Sequence, residues 1–125
     1  MRKKRILIID EKRFCRICSA ILELEGYVTE IVENIDNLAQ RLNNSEFGLI
    51  ITSYPHSAFL LKEIKERNIP AIILLDHINK DLINTFVGVE YFHLMIKPLD
   101  YQRFRLLVRE VMSGDLNIQG CYNIV

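Results

Sequence analysis

The chain has 125 residues, half of them apolar, and its 16 basic and 16 acidic side chains leave a formal net charge of zero. That length suits one domain with one core, and the cancelled charge provides no field that would draw it to nucleic acid or an anionic membrane, so neither partner is expected. No apolar run approaches the roughly 20 residues that cross a bilayer, and Met1 to Arg5 leads into only four strong apolar residues, too few for a signal peptide, so the chain is read as cytoplasmic.

The first element is Ile6-Leu7-Ile8-Ile9, too short for a helix and apolar on both faces, as in a central parallel strand. Phe14, Ile17, Cys18 and Ile21 follow at i, i+3, i+4, i+7, which predicts a helix with one buried stripe that stops near Gly26. Tyr27 to Val32 reads as the second strand, and Ile35, Leu38, Ala39 and Leu42 as a second helix ending at Asn43-Asn44. Phe47 to Thr52 is the third strand, and a helix through Ala58, Leu61 and Ile64 must end before Pro70. Ala71 to Leu75 forms the fourth strand, followed by a weaker helix with Ile83, Phe86 and Val87. Phe92 to Ile96 is the fifth strand, stopped by Pro98. Asp100 stands where it would cap the last helix, whose stripe is Phe104, Leu107, Val108 and Val111.

This alternation predicts an α/β fold, a doubly wound parallel sheet with helices on both faces and right-handed crossovers. The domain is placed at residues 1–112, and 113–125, with two glycines and two asparagines, is read as a C-terminal tail or linker. In such a sheet chemistry gathers at the carboxyl ends of the strands. There the sequence puts Asp10-Glu11, Ser53, Leu75-Asp76 and Lys97-Pro98.

That order resembles the receiver domain of two-component response regulators, carried by RILIIDE, ILELEGY, FGLIIT and IKPLD over residues 4–112. The resemblance implies a flavodoxin-like (βα)5 sheet in the order 2-1-3-4-5. It also implies a site in which an acidic pair and an acceptor aspartate hold Mg²⁺ while a lysine offsets phosphoryl charge. Aligning RILII makes Asp10 and Glu11 the pair, whereas aligning ILELEGY without a gap leaves Asp10 alone; the first is preferred because it keeps Arg5 out of the buried strand.

Several positions depart from the family pattern. Ser53 stands at the phosphoacceptor position, so one metal ligand and the nucleophile are missing together, and a serine hydroxyl is a poor nucleophile without an adjacent base. The switch hydroxyl falls on Leu75 and the rotating aromatic on Leu94, while the stretch after Ser53 is about four residues shorter than usual. These departures describe a pseudo-receiver. Its expected role is a phosphorylation-independent protein-interaction module in signal transduction or transcriptional regulation, not an enzyme, with no cofactor and with Mg²⁺ binding weak or absent. Lys97 and Asp10, both kept, are placed to form an ion pair.

Other readings compete. Asp76, beside the lost acceptor, is a possible substitute for phosphorylation, as is Ser53 itself, although a solvated loop carboxylate is the ordinary reading of Asp76. Cys15-Arg16-Ile17-Cys18 has the spacing of a thiol oxidoreductase, but Cys18 lies on the apolar stripe, and an odd count of three cysteines suits reduced thiols. Tyr91, His93, Tyr101 and Arg105 cluster around the fifth strand and fifth helix, a partner-binding surface in the family. A protein partner, or a homodimer through the fourth helix, fifth strand and fifth helix, is therefore expected there.

Overall fold

The computed structural model describes residues 5–32, 38, 40, 42, 47–54, 66–67, 69–77, 80–85, 92–97 and 100–113, the side chains of Leu82, Ile83 and Thr85 excepted. Its elements are β1 (Arg5–Ile9), α1 (Lys12–Leu24), β2 (Val28–Ile31), β3 (Leu49–Ser53), β4 (Ala71–Leu75), α2 (Lys80–Thr85), β5 (Phe92–Ile96) and α3 (Tyr101–Ser113). Leu38, Gln40, Leu42, Glu66 and Arg67 are also helical. The five strands form one sheet in the order β2-β1-β3-β4-β5, every pair parallel. This is the expected doubly wound topology.

Alternation along the strands divides the core between the two faces of the sheet. Ile6 and Ile8, Leu49 and Ile51, Ile72 and Leu74, and Met95 pack under Phe14, Cys18 and Leu22 of α1 and Phe104, Leu107, Val108 and Val111 of α3. Leu7 and Ile9, Ile50, Ala71, Ile73 and Leu75, and Phe92 and Leu94 line the opposite face with Val32, Leu38, Leu42 and Phe47. Burial on both sides explains why β4 is aliphatic throughout and why β1 is so after Arg5, whereas the edge strand β2, VTEI, is mixed.

Both framing helices end as their sequences dictate. Gly26 takes φ 92, the left-handed conformation that glycine adopts without steric cost. Its N–H then donates to the Glu23 carbonyl at 3.0 Å and that of Tyr27 to the Leu22 carbonyl at 3.2 Å, closing α1 in a Schellman turn. At α3, the Asp100 carboxylate accepts from the N–H groups of Gln102 and Arg103 at 3.0 and 3.2 Å, as expected of a capping residue.

Several expectations need correction. The buried face of α1 is Phe14, Cys15, Cys18 and Leu22, while Ile17 is 40% exposed and Ile21 half-buried. Apolar residues cover a wider arc of α1 than one sheet can bury, so the spacing admits two stripes, and the Cys15 thiol, donating to the Asp10 carbonyl at 3.3 Å, marks the one buried. Arg5 opens β1 instead of preceding it; its guanidinium reaches Glu30 at 3.6 Å and keeps the charge at the surface. His93 is buried in β5 at 2% exposure, not displayed. Ser113 closes α3 instead of opening a tail. Residues 114–125, the third helix through Ala58, Leu61 and Ile64, and Ile35, Ala39, Phe86 and Val87 lie outside the described residues.

Candidate functional site

Parallel strands bring their carboxyl ends to one edge of the sheet. Ile9 pairs with Thr52, so the next residues, Asp10 and Ser53, stand side by side where β1 and β3 finish. Ser53 is level with Leu74 of β4, and Leu75 with Ile96 of β5, which sets Lys97 one step beyond. By alternation from Ile8, Ile51 and Met95, the side chains of Asp10, Ser53 and Lys97 share the face that α1 and α3 cover.

Asp10 is the centre of this edge. Its side chain is 1% exposed; Oδ1 accepts from the Glu11 N–H at 2.7 Å, and Oδ2 lies 3.5 Å from the Lys97 Nζ. The lysine, 27% exposed, reaches inward over the Phe14 ring, 4.9 Å from Nζ to its centroid, so the ring face and the carboxylate hold one ammonium. The Lys97 backbone N–H donates to the Leu75 carbonyl at 2.7 Å and fixes the stem. The ion pair expected between Asp10 and Lys97 is present; Phe14 was read only as core, although its place one helical turn after Asp10 was the available signal.

The other site residues fall into two groups. Glu11 is exposed at the N-cap of α1 and makes no side-chain cap, so of the acidic pair only Asp10 faces inward. Ser53 is 3% exposed, Leu75 2% and Leu94 0%, the two leucines packed in the same apolar cluster. Asp76 is exposed. Pro98 lies outside the described residues. Mg²⁺ requires several oxygen donors in near-octahedral geometry. Here the one buried carboxylate is already faced by an ammonium, Glu11 points to solvent and Ser53 brings no charge, so the donor set does not fit the ion. Among the described residues, no three His, Cys, Asp or Glu side chains converge as metal ligands.

Burial weighs against the thiol reading. Cys15 and Cys18 both have 0% exposure, with no disulfide between them. Burial, with Cys15 and the Asp10 carboxylate nearby, pushes Cys18 up to about 12, which removes the thiolate that disulfide exchange needs.

Of the proposed interaction quartet, His93 does not reach the surface. His93 is in the core, where burial holds it down to about 4 and therefore neutral near neutrality. Tyr91 lies outside the described residues. Tyr101, 40% exposed, and Arg105 line a shallow pocket with Ile21, Leu24 and Gln102, so they open toward α1. Arg105 and Arg109 also reach Glu25, at 3.9 and 3.4 Å.

No protein-family model and no curated protein matches the sequence. Solved structures do match. The chain is similar to the beryllofluoride-activated NtrC4 receiver domain dimer, with 24% identity and a TM-score of 0.73 over 89% of this chain and 98% of that one. A CheY-like receiver domain protein from Methanospirillum hungatei JF-1 matches at 21% identity and a TM-score of 0.75, covering 90% and 95% of the two chains. A response regulator from Thermotoga maritima gives 18% and 0.74 over 89% and 98%. At these identities the likeness establishes the receiver fold. No helix among the described residues is long and apolar enough to cross a membrane.

Proposed function

We propose that this chain is a pseudo-receiver, a signalling module that engages protein partners without aspartyl phosphorylation and without catalysis of its own. The observation that carries the reading is the Asp10–Lys97 pair at 3.5 Å beside Ser53. In the receiver pattern that lysine offsets phosphoryl charge; here it is satisfied by Asp10 and Phe14, and the neighbouring position offers a hydroxyl with no carboxylate chemistry. Leu75 and Leu94, both in the core, support the same reading, since neither can report a phosphoryl group by hydrogen bonding. Mg²⁺ binding is accordingly weak or absent, and the state of the module is set by its partners in signal transduction or gene regulation.

Incubation with acetyl phosphate and Mg²⁺, followed by intact-mass measurement, tests this: no phosphoryl adduct is expected. A hydroxylamine-labile gain of one phosphoryl group at Asp76, or a stable one at Ser53, would establish the competing reading of a receiver modified at a substitute residue. Ser53→Asp alone restores weak Mg²⁺ binding but not switching. Beryllofluoride-induced shifts of amide resonances across α2 and β5 in that variant would contradict the account.

A further inference from the structure

Helix α1 carries an apolar surface that the described residues leave uncovered. Ile17 is 40% exposed and Leu24 89%, Ala20 is exposed between them, and Ile21 and Leu24 continue into the pocket with Tyr101. Charge is distributed unevenly along this face. Lys12, Arg13 and Arg16, exposed near the start of the helix, make no ion pair among the described residues, while Glu23 and Glu25 stand at its end.

Glu23 is more than a solvated side chain. Its Oε2 accepts from the Ser19 hydroxyl at 2.9 Å and the Thr29 hydroxyl at 2.8 Å, and those two hydroxyls touch each other at 2.5 Å. The two bonds hold this exposed carboxylate in one orientation, and they hold its pKa below the ordinary value, so it stays charged. A fixed carboxylate and free arginines on one helix, separated by an apolar stretch centred on the smallest exposed side chain, form a self-complementary surface.

We propose that α1 pairs antiparallel with α1 of a second copy of this chain. A two-fold axis near Ala20 brings Arg16 opposite Glu23 of the second copy, and the reciprocal contact follows by symmetry. Ala20 lets the backbones approach, Ile17 and Leu24 are buried across the axis, and the pocket beside Tyr101 receives an apolar side chain of the other protomer. This pairing is distinct from a homodimer through α2, β5 and α3 and does not depend on the pseudo-receiver reading.

Sedimentation equilibrium of the full chain over a range of concentrations tests it. The wild type is expected to dimerise, and Leu24→Lys and Arg16→Glu, both at exposed positions, to weaken association at least about ten-fold while circular dichroism is unchanged. The charge exchange Arg16→Glu/Glu23→Arg is expected to recover most of the lost affinity. A wild type that stays monomeric, a dimer indifferent to both single variants, or a charge exchange no tighter than Arg16→Glu alone would each overturn the proposal.

Discussion

Acid should weaken this fold through His93 in a narrow window. The imidazole is 2% exposed on β5, and burial lowers its pKa from 6.5 to about 4. Above 6.5 the folded and unfolded chains are both neutral at this position, and the histidine adds no pH dependence. As pH falls below 6.5 the unfolded chain takes up a proton that the folded chain refuses until about 4, so stability declines across that interval and the slope ends below it. The decline is about 1.4 kcal/mol per pH unit, which amounts to about 2 kcal/mol between about pH 7 and pH 5. Urea unfolding of wild type and His93→Gln at both pH values isolates the effect, because the carboxylates common to both proteins cancel in the difference of differences. The variant should lose about 2 kcal/mol less than wild type on acidification. Equal losses would refute the assignment of His93 as a neutral core residue.

Lys97→Met should destabilise more than Asp10→Asn in denaturant melts. The first leaves a carboxylate that is 1% exposed without its ammonium, a cost of about 1–3 kcal/mol, whereas the second frees a lysine that can turn to solvent at about 1 kcal/mol or less. Equal costs would mean the pair is not the buried feature described. Thr52 has 0% exposure and its Oγ1 finds no partner among the described residues, so Thr52→Val should raise stability by about 1 kcal/mol in the same assay; a loss would reveal a hidden hydrogen bond. In a Cys121→Ser background, Cys15 and Cys18 should react with an aromatic disulfide reagent only when the protein unfolds, and rapid modification of the native state would contradict their burial.

The parts of this structure that were legible in the sequence are those where one physical cue acts alone. β4 and β5 have the bounds read from their aliphatic runs, and the Asp100 cap and the α3 stripe came from local spacing. β3 runs later than expected, because Phe47 is buried beside the sheet before the strand begins and Gly48 is held by its N–H on the Arg5 carbonyl at 2.9 Å. The α1 face was ambiguous because its apolar arc exceeds what the sheet covers, a matter of tertiary fit that spacing does not encode. His93 was misplaced although a cue existed: a strand apolar on both faces buries every member, and His93 alternates with Met95 onto a covered face.

Within the site, the places of Asp10, Ser53 and Lys97 were legible because they stand at the ends of strands whose order brings those ends together. That Tyr101 and Arg105 turn toward α1 depends on how α3 crosses the sheet, which no local pattern states.

The order of the strands leaves β2 at an edge, and the composition of that strand governs what the edge can do. An open parallel edge is a template for further backbone pairing, and strands that accept it add without limit. β2 offers only four residues; Glu30 among them is tied to Arg5, and Thr29 is engaged by Ser19 and Glu23. Adding a strand there would bring charge and committed hydroxyls against the incoming chain. In the α1 dimer proposed above, association would use side chains on helices instead of the backbone, and a two-fold axis would close the assembly after two copies, leaving it reversible instead of fibrous.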